Sequence, residues 1–146
     1  MLKFLPMTNA HREDILSMMR VFYASPAVAT NGSEEIFRAD VDACVSDNPY
    51  LSGFVFMQDD SLAGYCMIAK SFSTEYGVPC IWIEDIYLKP EYRNMGIGTQ
   101  FFAFLEKAFP DHLFRLEVEE ENAPAVHTYR KNGFREMPYI EMKKGR

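Results

Sequence analysis

The chain has 146 residues, 48% of them hydrophobic and 25% charged, with a formal net charge of −6. That composition fits one globular domain over residues 1–146 and excludes a disordered chain. The acidic balance argues against a nucleic-acid partner, because phosphate binding needs a basic excess or a clustered basic face.

Leu2–Pro6 reads as a short strand. Thr8 or Asn9 caps a helix over His11–Ala24, in which Ile15, Met19 and Phe22 recur at helical spacing, and Ser25-Pro26 ends it. Ser33, followed by Glu34 and Glu35, starts a second helix with Phe37, Val41 and Cys44 on one face, running to Ser46. A β-rich block follows: Leu51–Gln58, a turn at Asp59-Asp60-Ser61, Leu62–Ser73, a turn at Glu75-Tyr76-Gly77, and Pro79–Leu88. Lys89-Pro90-Glu91-Tyr92 breaks the last of these. Thr99–Phe109 is a helix with Phe101, Leu105 and Ala108 on one stripe, and Leu113–Val118 is a strand. Pro124 opens a helix to Lys131, Asn132-Gly133 closes it, and strands at Phe134–Met137 and Tyr139–Lys143 finish the chain. The order β-α-α-β-β-β-α-β-α-β-β describes a mixed α/β sheet with helices on its faces.

Cys44, Cys66 and Cys80 are odd in number and form no C-x-x-C pair, so neither a disulfide framework nor a zinc site is expected. Buried thiols in a reducing compartment, the cytoplasm, is the expectation. No run approaches the roughly 18 apolar residues of a membrane span, and MLKFLPMTNAHRED is too short in its apolar part for a signal peptide. The histidines His11, His112 and His127 lack metal-ligand spacing, and no metal is expected.

Between the third strand of the block and its helix lies Arg93-Asn94-Met95-Gly96-Ile97-Gly98, an R-x-x-G-x-G loop. Glycines let the main chain approach a ligand, the first N–H groups of a helix lack partners, and the helix dipole adds partial positive charge. A pyrophosphate fits that arrangement. Phe101 stands where a dinucleotide fingerprint needs its third glycine, and no G-K-[ST] follows, so the loop is neither of those nucleotide motifs.

Trp82-Ile83-Glu84-Asp85-Ile86-Tyr87-Leu88 with Pro90, Tyr92, Arg93, Gly96 and Gly98 resembles the acetyl-CoA motif of the GCN5-related N-acetyltransferase (GNAT) superfamily. Asn122–Phe134, read as N-x-x-A-x-x-x-Y-x-x-x-G-F, resembles that superfamily's second motif, and the two occur in its order. The stretch Ile83–Leu88 is also similar to the diamine (spermidine/spermine-type) branch. The resemblance implies a mostly antiparallel sheet of about six or seven strands with about four helices on both faces. It implies a V-shaped splay between the strands ending near Leu88 and Val118.

The resemblance further implies acetyl-CoA as co-substrate, a small-molecule primary amine as acceptor, direct transfer without a metal, and a homodimer. The main chain of Ile86, Tyr87 and Leu88 would pair with the pantetheine arm, and Arg93, Asn94, Met95, Gly96, Ile97, Gly98 and Thr99 would hold the pyrophosphate. Asn122 would bond the cofactor or cap the last helix. Tyr129, at the superfamily's tyrosine position, is the candidate general acid. Glu84 is the candidate general base, on a strand parity shared with Trp82 and Ile86; Asp85, of opposite parity, is the second choice, and a bulge would swap the two. Glu119, Glu120 and Glu121 form a solvated charge run that could also attract a cation. Transfer to a protein N-terminus or lysine, acyl-CoA sensing without turnover, and a different nucleotide enzyme are the competing readings.

Overall fold

The computed structural model describes residues 1–146. Its strands β1 (Leu2–Pro6), β2 (Leu51–Gln58), β3 (Ser61–Ser73) and β4 (Val78–Leu88) pair antiparallel in succession, and β5 (Leu113–Leu116) joins β4 in parallel. The sheet order is therefore β1-β2-β3-β4-β5. Short turns make neighbours of β2, β3 and β4, whereas the parallel β4–β5 pair requires a crossover. That crossover carries helix α3 (Ile97–Ala108).

Each sheet face has its own core. Helices α1 (Arg12–Tyr23) and α2 (Glu34–Cys44) pack Ile15, Leu16, Met19, Phe37 and Val41 against Val55, Tyr65, Met67 and Tyr87. On the other face α3 packs Ile97, Phe101, Phe102 and Leu105 against Phe56, Cys66, Ile68, Ile81 and Ile83. Helix α4 (Ala123–Lys131) adds Tyr129 to the rim of this second core. The period-two alternation of β3, with Tyr65 and Met67 on one side and Cys66 and Ile68 on the other, feeds both cores from one strand. At Gly64 the strands approach so closely that a Cβ would lie 2.1 Å from the Tyr87 carbonyl oxygen. Only glycine fits there.

Two features of β4 shape the cleft. Met67 stands opposite Asp85 and Ile68 opposite Ile83, so Glu84 is an extra residue, a β-bulge. In addition, β5 pairs only with Cys80–Ile83, while β4 runs on to Leu88 with that edge bare. The strands thus part at the bulge, which is the expected splay.

The structure corrects the C-terminal expectations. The sheet has five strands, not six or seven, because the strands expected at Phe134–Met137 and Tyr139–Lys143 do not form. Residues 135–146 make no main-chain hydrogen bond to one another or to β5. Pro138 removes a donor from the middle of the segment. Side chains hold it instead: Arg130 pairs with Glu136, and the Tyr139 hydroxyl donates to Glu75 Oε2 at 2.6 Å. Strand β5 stops at Leu116, before the exposed Glu117 and Val118. No helix is long and apolar enough to cross a membrane.

Phe101 is fully buried, with ring centroids 5.2 Å from Phe4, 4.6 Å from Phe56 and 5.9 Å from Phe54. Phe101→Ala is expected to destabilise the fold by about 3–5 kcal/mol, read as a lowered denaturant midpoint at unchanged slope.

Candidate active site

The donor side is made of main chain. Arg93 Nε donates to the Leu88 carbonyl at 2.9 Å, and its guanidinium lies 5.6 Å from the Tyr87 ring centroid. The arginine thereby ties the loop to the strand end. Asn94 (φ 62°) and Gly96 (φ 80°) turn the chain through the left-handed region, with Met95 projecting between them. Gly96 caps α3 without a side chain, and the first helical bond is Gln100 N–H to the Gly96 carbonyl at 3.1 Å. The N–H groups of Ile97, Gly98 and Thr99 therefore remain open at the positive end of the helix dipole. A Cβ on Gly96 or Gly98 would meet nothing within 4 Å. This open cradle fits a pyrophosphate. The main chain of Ile86, Tyr87 and Leu88 is paired with β3 on one edge and bare on the other, a ready partner for an extended arm.

Helix α4 supplies the second motif. Asn122 Oδ1 accepts from Ala125 N–H at 3.4 Å, so Asn122 is a helix cap, and Pro124 stands in the first turn. Gly133 (φ 92°) closes the helix, with Phe134 N–H returning to the Tyr129 carbonyl at 3.0 Å. That turn brings Phe134 against Phe102 and Tyr129, whose ring lies 6.1 Å from Phe102. The Tyr129 hydroxyl makes no hydrogen bond within the protein, and burial pushes the phenol up to about 12. It is a full proton donor near neutrality.

Carboxylates gather on the α1/α2 side of the gap. The bulge corrects the expected parity. Ile86 and Leu88 pack on the α3 face, while Glu84 and Asp85 both act on groups of α1 and α2. Glu84 is exposed at its surface, yet partial desolvation and the charges of Asp85 and Glu141 raise its pKa. Asp85 is 5% exposed, and both of its oxygens accept tyrosine hydroxyls. Asp40 on α2 is lifted to about 6 by burial and by Asp85 and Glu84. At the edge of the cleft Glu117 rises to about 7 because Glu141 lies beside it, with partial desolvation and the charge of Glu84 adding to the shift. Arg115 stacks over Trp82 at 5.5 Å, 3.9 Å from Glu75.

The structure thus gathers Glu84, Asp85, Ile86, Tyr87, Leu88 and the Arg93–Thr99 loop along one side of the gap, with Tyr129 on the α3/α4 side. Glu119, Glu120 and Glu121 form the turn before α4, apart from the carboxylate group. The histidines lie elsewhere: His11 closes a capping box with Thr8, His112 contacts the Pro110 carbonyl, and His127 is exposed. Sequence reasoning missed Asp40, Tyr23, Tyr65, Glu117 and Glu141. Asp40 had a signal, since it falls at i+3 from Phe37 on the stripe that continues through Val41 and Cys44.

The Acetyltransferase (GNAT) family model matches residues 15–134. The chain belongs to the GNAT family. The thialysine N-ε-acetyltransferase of Sus scrofa is 33% identical over 120 residues, covering 75% of this chain and 68% of that protein. In fold, the GNAT chain matches a possible acetyltransferase from Clostridium difficile 630 with a TM-score of 0.83, at 19% identity over 99% of this chain and 97% of the other. It also matches AAC(6′)-Iy in complex with a bisubstrate analogue, CoA-S-monomethyl-acetylneamine, with a TM-score of 0.77. That match has 17% identity over 100% of this chain and 99% of the other. The GNAT chain is accordingly an acetyl-CoA-dependent N-acetyltransferase, and the family resemblance of both motifs holds.

Gly98 sits in the first turn of α3, facing open space. Gly98→Ala is expected to leave stability unchanged or raise it by up to about 1 kcal/mol, as alanine suits a helix better. The same methyl would enter the open N–H cradle whose shape fits a pyrophosphate. Calorimetry is expected to find acetyl-CoA bound about tenfold more weakly, the cost of roughly one displaced charge-assisted hydrogen bond.

Proposed function

We propose that this GNAT enzyme, acting as one catalytic unit over residues 1–146, acetylates a primary amine of a small cationic molecule by direct attack with both substrates bound. The observation that carries this reading is the grouping of Asp40, Glu84 and Asp85 on the acceptor side of the β4–β5 gap, facing the side that holds Tyr129. Three acidic groups in a partly desolvated cleft attract an ammonium ion. The Sus scrofa relative is named for transfer to an ε nitrogen, which supports a small amine acceptor. The likeness of Ile83–Leu88 to the diamine branch supports the same class.

Bound acetyl-CoA supplies the acetyl group as a thioester. The Arg93–Thr99 main chain holds its pyrophosphate, and the bare edge of Ile86, Tyr87 and Leu88 aligns its arm; Asn122 orders the start of α4 beside it. Glu84 takes a proton from the acceptor ammonium, directly or through water, and its raised pKa makes it a stronger base for that task than a free carboxylate. Tyr129 gives a proton or hydrogen bond to the departing sulfur. The acceptor lies among Ser25–Gly32, the Ser73–Pro79 turn and the C-terminal segment, the last two already linked by Tyr139 and Glu75.

No metal takes part in this reading. A cytoplasmic location is supported by three free, buried cysteines. A homodimer is supported by the bare outer edge of β5 and by Ile140 and Met142, exposed at 90% and 89%.

The test is thiol release from acetyl-CoA against polyamines, aminoglycosides, amino acids, and peptides with free N-termini or lysines. Release with a small amine is expected. Release with peptides alone would transfer the reading to protein acetylation, and silence with acetyl-CoA still bound would favour a sensor. Tyr129→Phe is expected to keep acetyl-CoA affinity and lower kcat by roughly ten- to a thousand-fold; an unchanged kcat removes the acid role. Glu84→Gln is expected to lose most activity above the Glu84 midpoint and below that of the acceptor amine, where the unmutated enzyme holds an ionised base and the acceptor is still an ammonium ion, and to lose the acid limb that Glu84 sets. A pH–rate profile identical to that of the unmutated enzyme would remove the base role from Glu84.

A further inference from the structure

Asp85 is the only charged side chain buried in the fold. Burying an ion unpaired is costly, and none of the ion pairs reaches it. Its partners are two phenols. Tyr23 donates its hydroxyl to Oδ1 at 2.8 Å, and Tyr65 donates to Oδ2 at 2.9 Å. An ionised carboxylate only accepts, so both hydroxyl protons point at it, and such charge-assisted bonds are the stronger kind.

Neither phenol is free to swing. Tyr65 is fully buried, with its ring 6.4 Å from Phe22 and 6.2 Å from Tyr87. Tyr23 ends α1 with its ring 5.4 Å from Phe22 and 5.0 Å from Phe37. The carboxylate is thus clamped from α1 and from β3 at once. With both oxygens occupied and almost no exposed surface, it has no site left for a proton arriving from an acceptor amine. Its neighbour Glu84, the extra residue of the bulge, is exposed.

We propose that Tyr23 is a positioning residue for acetyl transfer: with Tyr65 it fixes the Asp85 carboxylate as a buried negative charge behind Glu84, so that Asp85 acts through Glu84 and does not itself take the acceptor's proton. This rests on the reading of Glu84 as base.

The surroundings give the sign. Around Asp85 stand Tyr23 of α1, Asp40 and Cys44 of α2, Tyr65 and Cys66 of β3, and Glu84 of β4. Glu141 and Glu117 act on Glu84 or are acted on by it from the β5 side. All of these are acids, and no cation offsets them. The negative charge of Asp85 therefore makes Glu84 hold its proton more tightly. Removing that charge lets Glu84 ionise at lower pH. Burial pushes Asp85 itself up, and the two hydroxyls pull it back down. Removing one hydroxyl leaves burial less opposed, so Asp85 protonates at higher pH.

The test titrates carbon-13-labelled Asp and Glu carboxyls by NMR, without substrate, in the unmutated protein, Asp85→Asn and Tyr23→Phe; Glu84→Gln assigns the Glu84 signal. In Asp85→Asn the Glu84 midpoint is expected to fall by roughly half to one pH unit, and the acid limb of kcat/KM to move the same way. In Tyr23→Phe the Asp85 midpoint is expected to rise. An unmoved Glu84 midpoint in folded Asp85→Asn overturns the proposal. Should that variant not fold, an unmoved Asp85 midpoint in Tyr23→Phe overturns it equally. The midpoints need no turnover. Absence of thiol release from every amine therefore overturns the amine reading separately and removes the role of Glu84.

Discussion

At Glu84 strand β4 carries one residue more than β3 opposite it, and the cleft follows from that insertion. Before the bulge, Ile81 and Ile83 face α3; after it, Ile86 and Leu88 do. The parity of the strand is thereby reversed, and Asp85 and Tyr87 turn toward α1 and α2. A bulge also bends its strand and raises the local twist. It falls where β4 loses its partner β5. The same step that opens the gap for an extended arm thus turns two adjacent acids toward the acceptor side.

Electrostatics divides the site in two. On the donor side the positive features are main-chain N–H groups and a helix dipole, supplied by glycines and by the absence of a capping side chain. On the other side the ionisable groups are carboxyls, where burial and neighbouring acids lift Asp40 to about 6 and a neighbouring Glu141 lifts Glu117 to about 7. Such crowding costs stability in the free enzyme, because like charges share a partly desolvated space. The Arg93–Thr99 loop carries no such crowding, since its open N–H groups face outward at the helix start.

The difference explains what was legible in the sequence. Helices and strands with strong periodicity stood out. Strand β2 at Leu51–Gln58 and the stripe Phe37, Val41, Cys44 were read from the pattern, because burial enforces the period directly. The Arg93–Gly98 loop was legible because glycine and helix-start chemistry are local. The bulge was not, since Glu84 and Asp85 differ by one methylene and no turn residue marks the extra position. Tyr23 and Tyr65 could not be tied to Asp85, being 62 and 20 residues away in the chain. At the C-terminus the apolar pattern overstates the sheet. Phe134–Met137 and Tyr139–Lys143 look apolar enough to pair, but Pro138 interrupts the donor row and the segment is held by side chains instead.

The two groups proposed for proton transfer both hold their protons more tightly than free side chains do, and the gap that remains between them bears on direction. Tyr129 lies among Phe102, Phe134 and the α3 core, where burial pushes its phenol up to about 12. It therefore remains protonated over the whole range in which Glu84 ionises. Glu84 is raised by partial burial and by its acidic neighbours, yet stays a carboxyl group that ionises below a buried phenol. Above the Glu84 midpoint the acid is still full and the base is available, the state that forward transfer requires. Neither condition needs a neighbouring histidine or lysine. The first comes from an apolar wall on one side of the sheet. The second holds because Glu84 remains a carboxyl, and in the proposed arrangement the clamped charge on the other side makes that base stronger without competing for its proton.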